Sequence, residues 1–188
     1  MEAITAYILA GGKSLRMGSD KAFARFEGRT LLQRALDTAR LLTPDCRIVG
    51  ARGKFEAFGH VVEDVYADRG PLGGIDAALK NTATDLNLVL AVDMPYVSSE
   101  FLLYLAREAQ GSGALLAVPR TSDGWQPLCA VFRKGFGSLA DAALRDGRNA
   151  VHTLLENSAP RVIDEVELGR AGFSAGMFRN LNAPADLM

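Results

Sequence analysis

Cysteine, histidine, tryptophan and excess charge are all scarce in this chain, and each shortage excludes something. The 188 residues hold only 2 cysteines, 2 histidines and 1 tryptophan. Cys46 and Cys129 lie far apart and match no metal-ligand spacing, so neither a structural zinc site nor a disulfide framework is indicated. Both fall in apolar, strand-like stretches and read as buried, reduced thiols. His60 and His152 have no partner at triad or metal spacing and read as satisfied structural histidines. No Gly-x-Ser-x-Gly elbow or Cys–His pattern points to nucleophilic catalysis. Lys and Arg number 21 against 22 Asp and Glu, a formal net charge of −1. No global field therefore advertises a nucleic-acid or membrane partner, and any anion site must be built locally. No apolar run approaches the ~20 residues needed to span a bilayer. The first residues carry no basic region or cleavage pattern, so the expected location is the cytoplasm.

Hydrophobic residues make up 48% and charged residues 23%, an ordinary globular balance. The length suits one well-buried core, and residues 1–188 are expected to form one domain. Short apolar runs alternate with amphipathic ones. Strands are expected at 4–10, 47–50, 59–63, 86–92, 113–118, 128–132 and 161–163. Thr30 is placed to cap a helix through Leu42, stopped by Pro44, with Leu31, Leu32, Ala35, Leu36, Ala39 and Leu42 on one face. Pro71 suits the first turn of a helix to about Lys80. Ser98 or Ser99 caps a helix to Ala109, with Glu100 in its first turn, and further helices are expected near 136–145 and 150–155. A polar turn at 121–124 separates two of the strands. Phe55, Phe58, Phe101 and Tyr104 have helical spacing and read as core. Such alternation argues for an α/β fold, a mostly parallel twisted sheet covered on both faces. Ligands in these folds sit at the carboxyl ends of strands. That selects the loops after Ala10, Glu63 and Val92.

The first of these loops carries the strongest chemistry. Gly11 and Gly12 leave the strand without Cβ atoms, so backbone N–H groups can approach a ligand closely. Lys13, Arg16 and Lys21 add three cations within nine residues. Backbone donors, cations and a strand's carboxyl end together make a polyphosphate cradle; the competing reading is a plain surface loop with solvated charges. Gly12-Lys13-Ser14 imitates the end of a Walker A motif, but the first glycine of that motif would fall at Tyr7, inside the strand. The dinucleotide Gly-x-Gly-x-x-Gly is also absent.

The other two loops supply acids and a helix start. Asp93 in Asp93-Met94-Pro95 follows a buried strand and can be a hard-oxygen ligand for Mg²⁺, which takes one or two carboxylates plus substrate phosphate. It can equally be a turn aspartate before proline. Gly70, Gly73 and Gly74 open the Pro71 helix, whose N-terminal N–H groups can face an anion; close helix packing explains the glycines equally well. Trp125 can stack on a flat ligand or simply pack half-exposed.

Leu9-Ala10-Gly11-Gly12-Lys13-Ser14-Leu15-Arg16-Met17-Gly18-Ser19-Asp20-Lys21 resembles the signature loop of nucleotidyltransferases with a GT-A-like Rossmann fold. Among them it is similar to the molybdenum cofactor guanylyltransferase (MobA-type) family, nearly throughout these 13 positions. The resemblance implies a single-domain three-layer α/β/α protein. In it, main chain at Leu9, Ala10, Gly11 and Gly12 contacts the nucleotide, while Arg16 and Lys21 handle its phosphates. Related cytidylyltransferases usually carry Leu-Ala-Ala-Gly, so Gly11 favours guanine. Asp93 takes the family's metal-binding position. The stretch from Glu63 to Ile75 resembles the second motif, an acid before Gly-Pro-Leu-x-Gly. Asp64 and Asp68 compete for its nucleotide-contacting acid, and Asp64, directly at the strand's end, is preferred. Gly70 and Gly74 join the nucleotide-binding set. Gln126-Pro127 and Asn180-Leu181-Asn182 resemble the acceptor side. One departure stands: the asparagine that some members carry after the second strand is missing from Ile48-Val49-Gly50-Ala51-Arg52, which leaves base recognition to main-chain groups.

The implied reaction moves GMP from GTP to the terminal phosphate of molybdopterin, or of its molybdenum-loaded form, and releases pyrophosphate. Mg²⁺ is the implied cofactor, with Mn²⁺ as a substitute, and proteins that insert or deliver the finished cofactor are the implied partners. Two other readings stand beside it: a relative that uses CTP or another acceptor, and a non-catalytic nucleotide-binding protein.

Overall fold

Leu86–Ala91 is buried along its whole length, the mark of a strand covered on both faces, and the sheet is built around it. The computed structural model describes residues 2–11, 20–64 and 69–181. The strands are β1 (Ile4–Leu9), β2 (Arg25–Phe26), β3 (Arg29–Thr30), β4 (Cys46–Val49), β5 (His60–Val62), β6 (Leu86–Ala91), β7 (Leu116–Thr121), β8 (Gly124–Trp125), β9 (Cys129–Arg133) and β10 (Arg161–Asp164). The helices are α1 (Leu31–Arg40), α2 (Arg52–Phe55), α3 (Pro71–Lys80), α4 (Ser99–Ser112), α5 (Phe136–Arg145), α6 (Val151–Glu156) and α7 (Glu165–Arg170). The main sheet runs in the order β10-β7-β9-β6-β1-β4-β5, with β8 paired to β7 and β2-β3 forming a separate ribbon. β6, β1, β4 and β5 are mutually parallel, and β10 is parallel to β7. β9 is antiparallel to both of its neighbours.

Side chains of a strand alternate between faces, and the core divides accordingly. Ala6 and Ile8 of β1 and Leu86, Leu88 and Leu90 of β6 pack with α1, α4 and α7. Val89 faces the other way, against α3, α5 and α6, and Tyr7 packs there beside Ala77 and Ala78 of α3. Three layers, α/β/α, result. Cys46 and Cys129 are free thiols. Cys129 is fully buried, but Cys46 is only half-buried; burial pushes the Cys46 thiol up to about 11. His60, at the start of β5, and His152, in α6, are both exposed. No helix among the described residues is long and apolar enough to cross a membrane.

The expected elements all form, with shifted ends. α4 runs on to Ser112 because Gly113 supplies the left-handed residue, φ +67°, that ends it; the strand expected from residue 113 consequently starts at Leu116. α1 stops at Arg40, and Leu41 beyond it is 77% exposed. Part of the expected turn at 121–124 is strand: β7 reaches Thr121, and Gly124 at φ +109° pairs back onto it. The β2-β3 ribbon, α2 and α7 had no expectation. They are too short to show periodicity; the ribbon turns through Glu27 and Gly28, both at positive φ, as two-residue hairpin loops require.

α1 starts at a reciprocal cap. The Gln33 N–H donates to Thr30 Oγ1, and the Thr30 N–H donates to Gln33 Oε1, both at 3.2 Å. Removing the hydroxyl with Thr30→Ala is expected to cost about 1 kcal/mol of stability. Urea unfolding at equal m-value measures it, and a loss below a few tenths would mean that the cap does not hold this helix.

Candidate active site

Because β6, β1, β4 and β5 are parallel neighbours, their carboxyl ends form one row. Asp93 follows β6, Gly11 follows β1, Gly50 follows β4 and Asp64 follows β5. With strands ~4.8 Å apart, the row from Asp93 to Asp64 spans about 14 Å. Main-chain bonds set its level: the N–H groups of Ala10 and Gly11 donate to Val49 O at 3.0 and 3.1 Å, Gly50 N–H to Val62 O at 3.0 Å, and Val92 N–H to Leu9 O at 3.1 Å.

Sequence-distant charges meet at one end of the row. Lys21 opens a short 3₁₀ turn, Lys21–Phe23, capped by Asp20, whose carboxylate accepts from Ala22 N–H. The Lys21 ammonium reaches Asp93 Oδ2 at 2.6 Å, although the two residues are 72 positions apart. Their side chains are 16% and 20% exposed, so the pair is screened from bulk water yet open to a ligand. Lys54 of α2 bridges to Asp20 at 2.9 Å, and Phe23 lies against Phe55 and Phe58, each at a centroid distance of 5.7 Å. The segment that presents Lys21 is thereby docked on α2.

Two further segments converge on Asp93. Leu181 N–H donates to Asp93 O at 3.1 Å, which brings Asn180 to this corner in an exposed position. Ala91 N–H donates to Leu128 O at 2.7 Å, which brings Gln126 and Pro127 up alongside. The Gln126 amide is 3.4 Å from both Thr121 Oγ1 and Gly124 O, turned onto the β7-β8 hairpin. Tyr96, in the turn after Asp93, packs edge-on against Phe26 at 5.5 Å, and the Arg179 guanidinium lies over its ring at 5.8 Å. Neither Tyr96 nor Arg179 was singled out from the sequence, where an isolated exposed tyrosine and an arginine 83 positions later carry no shared signal.

At the far end of the row, Asp64 is partly buried. Arg52 N–H donates to Glu63 Oε1 at 3.4 Å, and its guanidinium lies 3.8 Å from the same carboxylate. Gly70 starts α3 at φ +66°, a conformation side chains rarely adopt. Gly74 is buried in α3, and a Cβ there would lie 3.0 Å from Leu9 Cδ2; its lack of a side chain lets α3 approach β1. The expectations placed on Gly12, Lys13, Arg16, Asp68 and Asn182 concern positions outside the described residues. Trp125 is half-buried with Arg120 over its ring at 5.2 Å.

Among the described residues, no group of three or more His, Cys, Asp or Glu is placed to hold a metal ion. Asp93 presents a single carboxylate at the strand edge, a donor of the kind Mg²⁺ takes when substrate phosphate completes its shell.

Gly11, Lys21 and Asp93 thus gather at the carboxyl ends of the parallel strands, and comparison with known proteins gives the class, a nucleotidyltransferase. The MobA-like NTP transferase domain model matches residues 6–162, and the chain belongs to that family. It is 30% identical to the molybdenum cofactor guanylyltransferase of Syntrophotalea carbinolica, over 97% of this chain and 88% of that one. Its fold superposes on the molybdopterin-guanine dinucleotide biosynthesis protein A of Archaeoglobus fulgidus with a TM-score of 0.83 at 24% identity, covering 97% and 94% of the two chains. The manganese complex of a Mycobacterium tuberculosis H37Rv protein shares the fold at a TM-score of 0.60 and 19% identity, over 87% of each chain.

The glycine after β4 has a steric cause. A Cβ on Gly50 would lie 2.7 and 2.8 Å from the Phe55 ring, so a side chain at position 50 forces that ring to shift. Gly50→Ala is expected to destabilise the fold by about 1–3 kcal/mol through overpacking. Adding Phe55→Leu should make the double variant cost clearly less than the sum of the single ones. Denaturant titration of all three variants checks this; strict additivity would show that the ring does not set the constraint.

Proposed function

We propose that this protein transfers a guanylyl group from GTP to the terminal phosphate of molybdopterin, with or without molybdenum, and releases pyrophosphate. The observation that carries the reading is the Lys21–Asp93 pair at the phosphate end of the row, in a chain of this family. The whole of residues 1–188 acts as one catalytic domain.

The chemistry asks little of a base. The acceptor phosphate oxygen is already anionic; it attacks the α-phosphorus, a P–O bond forms, the bond from the α-phosphorus to the bridging oxygen breaks, and pyrophosphate leaves. Catalysis is then positioning of two polyanions and neutralisation of the charge that develops between them. Leu9, Ala10, Gly11 and Gly12 seat the nucleotide through main-chain groups, and Lys21 with Arg16 neutralises the departing pyrophosphate. Asp64 contacts the nucleoside end, about 14 Å along the row, and Gly70 turns the α3 N-terminus towards it. Gly74 acts through Leu9, which it supports. Gln126, Pro127, Asn180 and Asn182 face the acceptor. Asp93 would hold Mg²⁺, or Mn²⁺ in its place, and the ion would supply charge neutralisation between the triphosphate and the acceptor. With no side-chain amide in Ile48-Val49-Gly50-Ala51-Arg52, the base is read by main-chain groups, and guanine is the proposed choice.

Asp93→Asn and Lys21→Ala should each lower the guanylyl-transfer rate by about 10²–10³-fold. Both residues are partly exposed, so water can solvate the orphaned partner, and far-UV circular dichroism should stay as in the parent. An Asp93→Asn variant with the parent's rate at limiting Mg²⁺ would remove the metal assignment. Chelation should abolish pyrophosphate release, and added Mg²⁺ or Mn²⁺ should restore it. In competition binding GTP should displace CTP; a clear preference for CTP would favour the cytidylyl relative. No pyrophosphate release with either nucleotide and molybdopterin would favour a non-catalytic binding protein.

A further inference from the structure

We propose that Arg179, held against Tyr96, is the cation that receives the acceptor's terminal phosphate. The inference rests on the guanylyl-transfer reading and adds the group that reading lacks on the acceptor side. Joining two phosphates requires positive charge for each. Lys21 and the basic loop before it serve the nucleotide, and Lys21 is already engaged with the Asp93 carboxylate. The ion that Asp93 would hold is shared between the two substrates, so a cation of the protein's own near the same aspartate would serve the acceptor phosphate alone.

Arg179 meets that need by position. Two residues on, Leu181 N–H donates to Asp93 O at 3.1 Å, and Arg179's own N–H donates to Gly176 O at 3.2 Å. The flanking side chains Phe178 and Leu181 are buried, with Phe178 edge-on to Phe101 at 5.4 Å. The backbone carrying Arg179 is therefore fixed on both sides of an exposed side chain. Among the described residues no carboxylate pairs with this guanidinium; it lies instead over Tyr96, 5.8 Å from the ring centroid. Tyr96 belongs to the turn that follows Asp93 and is itself braced by Phe26 at 5.5 Å.

The contact with the ring suits phosphate recognition. The Arg179 guanidinium carbon lies 5.8 Å from the Tyr96 centroid, and an aromatic ring attracts the cation without claiming its five N–H donors as a carboxylate would. Those donors fit two oxygens of a phosphate monoester bidentately. A third oxygen stays available to attack the α-phosphorus. Among the described residues, no ion pair occupies this exposed guanidinium, two positions before the residue bonded to Asp93 O.

The test separates this proposal from the reaction reading. In steady-state transfer assays on the full chain, Arg179→Ala should raise the molybdopterin KM by about tenfold or more, as for loss of charge-assisted hydrogen bonds. The GTP KM and the melting temperature should stay as in the parent. Arg179→Lys should fall between the two, since it keeps charge but not the fork. Arg107→Ala, on the exposed surface of α4, should change nothing. Molybdopterin binding to the GTP-free protein, followed by pterin fluorescence, should weaken to a similar extent in Arg179→Ala. An unchanged acceptor KM together with unchanged pterin binding overturns the proposal. Should the parent protein transfer nothing from GTP, the guanylyl reading fails, yet the binding arm still decides: weaker pterin binding by Arg179→Ala supports the proposal, and equal binding overturns it.

Discussion

Four parallel strands ending at one level constrain nearly everything else in the site. β6, β1, β4 and β5 are hydrogen-bonded neighbours, so whatever residue follows each of them is carried to the same edge. Parallel strands need crossover connections, and here α1 lies between the neighbours β1 and β4 in the chain, while α3 carries it from β5 at the edge back to β6 beyond β1. The two helices lie on opposite faces, with α1 in the larger core cluster and α3 in the clusters behind it. That arrangement keeps α1 and α3 on the faces of the sheet, and the residues that follow the strands gather along one edge as a consequence of topology. The small residues along it follow the same logic. Gly50 has the Phe55 ring where a side chain would go, and Gly74 lets α3 close against Leu9.

Placing charge on that edge requires more than strand ends. Lys21 lies beyond the first loop and reaches Asp93 because the 3₁₀ turn bearing it is anchored three ways: by Asp20 capping, by the Lys54–Asp20 bridge and by Phe23 on Phe55 and Phe58. The exposed bridge is worth at most about 1 kcal/mol, so the aromatic contact and the cap carry most of the positioning. Asp93 is held from three directions as well, by β6 itself, by the Leu181 bond and by Lys21. A carboxylate and an ammonium that are both immobilised before ligand binding need little reorganisation during reaction, which is the condition under which electrostatic stabilisation is most effective.

Local chemistry in the sequence announced the parts of this arrangement that are local. Leu86–Ala91 is apolar nearly throughout, Thr30 and Pro71 stand at helix starts, and Gly11 interrupts a β-branched run; each formed where those features place it. The places of Asp64 and Asp93 at strand ends were legible because each follows an apolar run. Contacts that depend on three-dimensional return of the chain were not legible. Nothing in a row of letters couples Tyr96 to Arg179 or Lys54 to Asp20. The two-residue strands β2 and β3 lie below the length at which alternation is detectable, and the half-exposed Cys46 reads no differently from the buried Cys129 until packing is known.

The two ends of the row differ in how they are held. Among the described residues, the Asp93 end carries the Lys21 ion pair, the Leu181 bond and, in the adjoining turn, the Tyr96–Arg179 contact. The Gly50–Asp64 end is flanked by the Arg52–Glu63 contact, whose partners are 60% and 61% exposed. Strong, preorganised electrostatics are most effective where charge develops during phosphoryl-type transfer, and under the proposed reaction that is the Asp93 end. Recognition of an uncharged base needs only a few well-placed donors and acceptors, which main-chain groups can present without a long side chain to order. Both ends are held in register by the same four strands.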